Sequence, residues 1–313
     1  MITKDQKSEI RQALINYTKQ GAESYKMSQN QVANKLGINA AYVSAIVNGK
    51  ENVDKSEISD RYYILLAELL EIELEKKYWE VFRTKQMLAA LAALEDAREF
   101  GRTITIVGET GCGKSLACDI FEKKYPTECF KVIISNLDTI NDIIDKLMSK
   151  LNIKLETRSK SKKLQEITWV LISMRMRGGK PLIIFDEAEF MSHVTLCAIK
   201  SLYDHLNKIV GCVMIGTEQI LRNYDRLKKT NKTGIPQLYR RIKFGIVNLP
   251  PIDKRYNEFL SEIKDKELVK WLRNNCENFG ELHDVLEPAK READRLKEPL
   301  SYELVMKING FNW

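Results

Sequence analysis

Paired cysteines are missing from this chain. Its six cysteines (Cys112, Cys118, Cys129, Cys197, Cys212 and Cys276) form no C-x-x-C pair. Histidine is scarce too: His193, His205 and His283 stand at no ligand spacing with them, so a zinc site is not expected. The cysteines read instead as small core hydrophobes in a reducing compartment. No apolar h-region follows Met1, so no signal peptide is expected. The longest uncharged apolar run, Met87 to Leu94, is too short to span a bilayer. These gaps point to a cytoplasmic protein without a membrane partner. At 313 residues the chain has room for two or three domains, and 44% hydrophobic residues allow a core. The formal charge of +7 is mild, so its distribution matters more than its sum.

The densest signal is Gly108-Glu109-Thr110-Gly111-Cys112-Gly113-Lys114-Ser115, which fits G-x-x-x-x-G-K-[ST] at every fixed position. Thr103 to Val107, before it, is a β-branched apolar run and reads as a buried strand. Leu116 to Tyr125, after it, carries helical spacing. Strand, glycine loop and helix together make this a P-loop. Its glycines let the backbone fold round a phosphate. The loop and helix N–H groups then point at the anion. Gly108 to Ser115, with Leu116 and Asp186, are the expected nucleotide-binding residues. Lys114 would reach the β- and γ-phosphates, and the Ser115 hydroxyl would ligate Mg²⁺. ATP and Mg²⁺ are therefore the expected ligands.

A second apolar run, Pro181 to Phe185, ends in Asp186-Glu187-Ala188-Glu189. This is the Walker B arrangement. Asp186 can hold Mg²⁺ through water, and Glu187 can polarise the water that attacks the γ-phosphate. Glu187 could also be an ordinary carboxylate at a helix N-terminus. A further strand ends in Ile215-Gly216-Thr217, where Thr217 suits a sensor that orients the attacking water. Thr also suits a helix N-cap. Strands are expected at Phe130 to Ser135, Gly211 to Ile215 and Phe244 to Val247 as well. The intervening helices are expected at Leu137 to Leu151, Leu164 to Met176 and Ser192 to Lys208. Continuous apolar strands joined by helices argue for an α/β fold with a parallel sheet covered on both faces.

The N-terminal region is helical. A helix capped by Ser28 is expected to end at Gly37, and a second runs from Asn39 to Asn48 before Gly49. This resembles the helix-turn-helix of the phage Cro and repressor family, whose second helix enters the major groove. A plain helical hairpin for protein contacts has the same pattern. The positions that carry base-reading amides in that family are Ala40, Ala41 and Ala45 here, and a methyl cannot make bidentate bonds to a base. Asn39, Tyr42, Ser44, Asn48 and Lys50 could hold phosphates or sugars. The unit should bind DNA with little sequence preference, or not at all.

The expected division is a helix-turn-helix domain over 1–58, with a polar linker at 51–60 across its end. A helical connector follows over 59–83, then the ATPase core over 84–250 and a helical lid over 251–313. The connector's apolar stripe includes Trp79 and Phe82 and breaks near Thr84. Arg158, Lys160, Lys162 and Lys163 crowd into an expected loop at 152–163 and suit contact with DNA phosphates. Lys228, Lys229, Lys232, Arg240, Arg241 and Lys243 make another acid-free run. Both could equally be solvated charge.

Together these motifs resemble the AAA+ ATPases, and more narrowly the Mu B family of ATP-dependent transposon target selectors. The resemblance rests on the front helix-turn-helix, the two Walker segments, the Val213-Met214-Ile215-Gly216 strand and Leu238-Tyr239-Arg240-Arg241-Ile242. It implies a P-loop AAA+ parallel sheet with a helical lid, preceded by a small all-α helix-turn-helix domain. Lys114, Glu187, Thr217 and Arg241 become the expected catalytic residues, Arg241 as a finger reaching a neighbour's nucleotide, with Arg240 as the alternative. It also implies ATP-dependent polymerisation on double-stranded DNA, as a filament or ring of identical subunits, and a transposase partner that stimulates hydrolysis. One departure is the stretch Phe279 to Asp284, which lacks the arginine of a second sensor. A helicase loader in DNA replication is the alternative. A nucleotide-switched adaptor, a repressor and a small-molecule kinase fit less of the chain.

Overall fold

The computed structural model describes residues 2–19, 26–53, 56–70, 72, 78–206 and 208–310. They fall into two units, Met1–Tyr78 and Trp79–Trp313.

In the first unit, Ser28 and Gln31 make a reciprocal capping box at the start of the helix Gln29–Leu36. Gly37, with φ at 64°, ends that helix in the left-handed region. Asn39 accepts from the Ala41 N–H and starts Ala40–Val47. Val32, Val43 and Ile46 share a core with Ile10 and Leu14 of Lys4–Thr18. These short helices cannot close that core alone, which corrects two expectations. The supposed linker at 51–60 is folded in its described residues: strands β1 (Asn52–Val53) and β2 (Ser56–Glu57) pair antiparallel, and Ile58 is only 2% exposed. The supposed connector at 59–83 is divided. Its helix Asp60–Leu70 places Tyr63, Leu66 and Ala67 in the first core, so this unit runs past 58. Ala45 is corrected as well. It is 7% exposed and belongs to the core, not to an outward face. Ala41 is exposed and Ala40 half-buried.

The second unit is built on a five-stranded sheet in the order β4-β5-β6-β3-β7. The strands are β3 (Thr103–Val107), β4 (Cys129–Ile133), β5 (Leu182–Asp186), β6 (Gly211–Gly216) and β7 (Ile246–Asn248). Every pairing is parallel. Alternate residues face opposite layers, as a period of two requires. Leu182, Ile184, Val213 and Ile215 pack with Leu94, Ala97 and Phe121, from helices Lys85–Phe100 and Lys114–Lys124. Ile183, Phe185 and Met214 pack on the other face with Ile144, Ile167 and Leu196. Both faces are covered, which is why these strands read as unbroken apolar runs.

The described helices follow the expected order with shifted ends. Ser159 caps Lys160–Met176, so Lys160, Lys162 and Lys163 lie in the helix's first turns and not in a loop. Thr84 caps Lys85–Phe100, at the break expected there. After Pro250 and Pro251 come the helices Asn257–Leu260, Lys266–Asn275, Phe279–Leu296 and Tyr302–Asn309. Their core gathers Leu268, Leu272, Leu282, Leu286 and Val305, with Trp79 and Phe82 packed against it. Trp79 and Phe82 are therefore not part of a helical stripe. They sit on irregular chain that belongs with the lid. Five cysteines are buried, Cys197 is half-buried, and all six are free thiols. Among the described residues, no helix is long and apolar enough to cross a membrane.

Candidate active site

The glycine loop leaves β3 beside the end of β6, where the Gly108 N–H donates to the Gly216 carbonyl (3.1 Å). Gly111 and Gly113 take φ values of +68° and +90°, a region that Cβ disfavours. Lys114–Lys124 then starts with no side-chain cap, so its first N–H groups are free to serve an anion. Lys114 Nζ donates to the carbonyls of Gly108 (3.1 Å) and Glu109 (2.7 Å). A cleft of about 830 Å³ opens over the loop, lined by Thr110 to Leu116 and by Asp186, Glu187, Glu189 and Thr217. Gly108 and Glu109 lie outside this lining. Gly108 packs under Leu249, and a Glu109 oxygen accepts from the Ile252 N–H (3.3 Å).

β5 carries Asp186 to the cleft floor at 2% exposure. Both its oxygens are engaged. The Glu187 N–H donates to Oδ1 (3.0 Å), and Lys131 Nζ approaches Oδ2 (3.1 Å). The same amine donates to Asp119 (2.6 Å) and to the Ser115 carbonyl (3.3 Å). Burial works to lower the Lys131 pKa, but its bonds to Asp119 and Asp186 outweigh this and raise it. Sequence reasoning missed Lys131. The available signal was a lysine inside the apolar run Phe130 to Ile134. One amine thus ties together Ser115 and Asp186, the two expected metal residues.

Glu187 has φ at +59°, a costly conformation for a residue with a side chain. It turns the chain into a short 3₁₀ turn, Ala188–Phe190, and makes no capping bond there. Glu187 thus stands at the N-terminus of a helical turn without capping it through its side chain. Partial burial, then the charges of Glu189 and Asp186, push its carboxyl above the usual range. Such a shift moves a carboxylate toward useful basicity.

Thr217 is bound to Glu189. Its N–H (3.0 Å) and its hydroxyl (2.7 Å) both donate to Glu189 Oε1. The helix Gln219–Lys229 has Glu218 at its N-cap position and no side-chain cap bond, so the Thr217 hydroxyl is not a helix cap. Glu189 was not among the expected site residues; a second residue after an Asp-Glu pair carries no local signal of its own.

The other wall of the cleft is aromatic. Trp79, Phe82, Phe259, Phe279 and His283 line it. Trp79 stacks on Phe259 (5.0 Å between centroids) and meets His283 edge-on (5.2 Å). His283 therefore occupies the lid wall in the stretch that lacks an arginine. Such faces can hold a flat heteroaromatic ring.

Arg240 and the expected DNA-contact residues do not line this cleft. Arg241 belongs to the helix Ile235–Ile242, but its side chain lies outside the described residues. Arg240 is exposed. Arg158, Lys160 and Lys162 are exposed, whereas Lys163 is paired with Asp145 (2.5 Å). Lys228 lies over the Tyr239 ring, and Lys243 over the Phe244 ring.

The Ser115 hydroxyl and Asp186 carboxylate are hard oxygen donors, the set that suits Mg²⁺. Among the described residues, no cluster of three His, Cys, Asp or Glu could hold a metal by itself. Mg²⁺ commonly completes its shell with water and substrate phosphates, so two protein donors beside a phosphate loop fit it.

Residues 98–224 match the AAA domain family, and residues 19–77 match the Helix-turn-helix family. The second match spans the helix Asp60–Leu70, as the first core does. The chain is 25% identical over 227 residues to the Mu-like prophage FluMu DNA transposition protein B of Haemophilus influenzae, covering 69% of this chain and 72% of that one. Its fold is similar to that of the Aeropyrum pernix ORC2 protein (TM-score 0.51, 15% identity, covering 74% of this chain and 68% of that one). Cdc6p from Pyrobaculum aerophilum is also similar (TM-score 0.53, 16% identity, covering 74% and 69%). At those identities the likeness is one of fold. The chain carries an AAA domain on a P-loop parallel sheet, preceded by a helix-turn-helix, and resembles Mu B-type AAA+ ATPases.

Proposed function

We propose that this chain, with its AAA domain and leading helix-turn-helix, is an ATPase that assembles on duplex DNA and directs a transposase to it. The observation that carries the ATPase reading is the convergence of Lys114, Ser115, Asp186, Glu187 and Thr217 on one cleft. Loop N–H groups and Lys114 bind and orient the phosphates. The aromatic wall holds the base. Glu187 takes a proton from the attacking water, and Thr217 helps to aim it. Ser115 and Asp186 would hold Mg²⁺, which would supply positive charge to stabilise the transferring phosphoryl group.

The DNA reading is supported by charge placement. Arg158, Lys160 and Lys162 crowd the start of a helix, where the helix dipole already repels cations. Helix N–H groups and these side chains all favour an external anion, and backbone phosphates supply one. Base reading has little support. Ala41 is the exposed alanine of the second helix, Asn39 is spent on its cap, and Asn48 Nδ2 donates to the Ser44 carbonyl (2.9 Å). Binding should therefore be largely independent of sequence. The transposase partner rests on the similarity to a prophage DNA transposition protein B. Arg241 is proposed as the finger that completes a neighbour's site, which would make hydrolysis depend on assembly. A cytoplasmic location fits the free thiols.

The test is binding to random-sequence duplex DNA with ATP, with ADP and without nucleotide, with Lys114→Ala as control. Long cooperative complexes that need ATP and vanish in the variant are expected. Binding indifferent to nucleotide, or preference for single strands with a hexameric helicase, would overturn this reading in favour of an adaptor or a helicase loader.

A further inference from the structure

We infer that Glu189 is a positioning residue: it fixes the direction of the Thr217 hydroxyl proton, so that Thr217 meets the attacking water only as a hydrogen-bond acceptor. This deepens the ATPase reading above and rests on it.

The argument starts from proton inventory. A threonine hydroxyl has one proton, and an ionised carboxylate only accepts. Thr217 donates that proton to Glu189 Oε1 (2.7 Å), and its N–H reaches the same oxygen (3.0 Å). The carboxylate is itself held in place. Burial confines it, the residue being 9% exposed, and Asn223 Nδ2 fixes the main chain below by donating to the Glu189 backbone carbonyl (2.9 Å). Gly216 makes room for it, since a Cβ there would stand 1.9 Å from Glu189 Oε2. Oε2 is buried with no hydrogen-bond partner, an arrangement that is costly to keep in a purely structural carboxylate. The Thr217 oxygen therefore has only lone pairs left for the cleft that it lines with Glu187.

That polarity suits hydrolysis. The attacking water has two protons and must aim a lone pair at phosphorus. One proton bonds to Glu187, which receives it, and the other bonds to Thr217. The new P–O bond forms as the bond to the ADP oxygen breaks, and ADP leaves with that electron pair. A Thr217 that donated to the water would tie up one of its two lone pairs and draw electron density away from the oxygen that must attack. Glu189 touches neither water nor phosphate in this scheme; it acts through Thr217.

The experiment pairs single-turnover ATP hydrolysis on the full chain with direct measurement of ATP binding. Glu189→Met, close in shape but without an acceptor, is expected to slow hydrolysis about tenfold or more while ATP affinity stays within about twofold. Thr217→Val should lose a similar factor, and Thr217→Ser should restore most of it. Glu189→Met placed on Thr217→Val should cost nothing further, because the two act as one unit. Wild-type turnover in Glu189→Met, losses that multiply in the double variant, or a Thr217→Val chain as fast as Thr217→Ser each overturns the inference. Where Glu189→Met does not fold, equal rates in Thr217→Val and Thr217→Ser would still overturn the inference. A wild-type chain that binds ATP on DNA but never hydrolyses it overturns the ATPase reading itself, and the inference with it.

Discussion

Lys131 on β4 and Asp186 on β5 meet as an ion pair, with Nζ 3.1 Å from Oδ2 and side-chain exposures of 5% and 3%. Removing one partner of such a pair leaves the other charge buried and uncompensated. Lys131→Met should therefore lower stability by about 3 kcal/mol, read from the denaturant unfolding of the second unit. The pair also sets a pH dependence. The folded Lys131 pKa is raised above 10.5, so its contribution is complete below 10.5 and is lost as pH rises through the folded value. The stability gap between wild type and Lys131→Met should narrow above that pH. A gap that widens there would contradict the pairing.

Gly111 and Gly113 should not be equivalent. Both have positive φ, and an alanine at such a site costs about 1–2 kcal/mol. A Cβ on Gly113 meets nothing within 4 Å, whereas one on Gly111 would lie 2.1 Å from Asn278 Oδ1. That oxygen accepts from the Glu281 N–H (2.9 Å) and caps the lid helix Phe279–Leu296. Gly111→Ala should add the loss of that cap, about 1 kcal/mol more than Gly113→Ala. Thermal unfolding of the two variants compares them directly.

Trp79→Ala should weaken ATP binding about tenfold, because its ring both lines the cleft and stacks on Phe259. Trp79→Phe should keep most of the affinity. Calorimetric titration with ATP separates the two, and equal affinities in all three chains would remove the aromatic wall from the site.

Lys160 and Lys162 are exposed, while Lys163 is held by Asp145. The variant Lys160→Ala/Lys162→Ala should reduce the slope of log K against log salt for duplex DNA by about 2, roughly 0.9 per phosphate contact. Lys163→Ala should change it much less. A salt titration that ranks Lys163 first would move the DNA path elsewhere.

The phosphate loop was legible because its physics is local. Gly111 and Gly113 answer a backbone need, and Thr103 to Val107 declares a buried strand by its own residues. Leu182 to Asp186 could be read in the same way, with the Asp-Glu pair at its end. The capping of Gln29–Leu36 by Ser28 was equally local, being settled by residues three apart. What stayed hidden depends on which elements become neighbours. Lys131 reaches Asp186 only because β4 lies beside β5. Glu189 meets Thr217 only because β5 lies beside β6. Trp79 and Phe82 carried apolar spacing that continued a helical stripe, yet the lid core claimed them. Ala45 was assigned an outward position by resemblance and Ile58 stood in a polar stretch, yet both joined the core of the first unit. The sequence by itself determined the chemistry of the phosphate loop, whose parts are contiguous. Tertiary structure decided the charge balance around it, because strand order and helix docking are summed over the whole core and are written in no single segment.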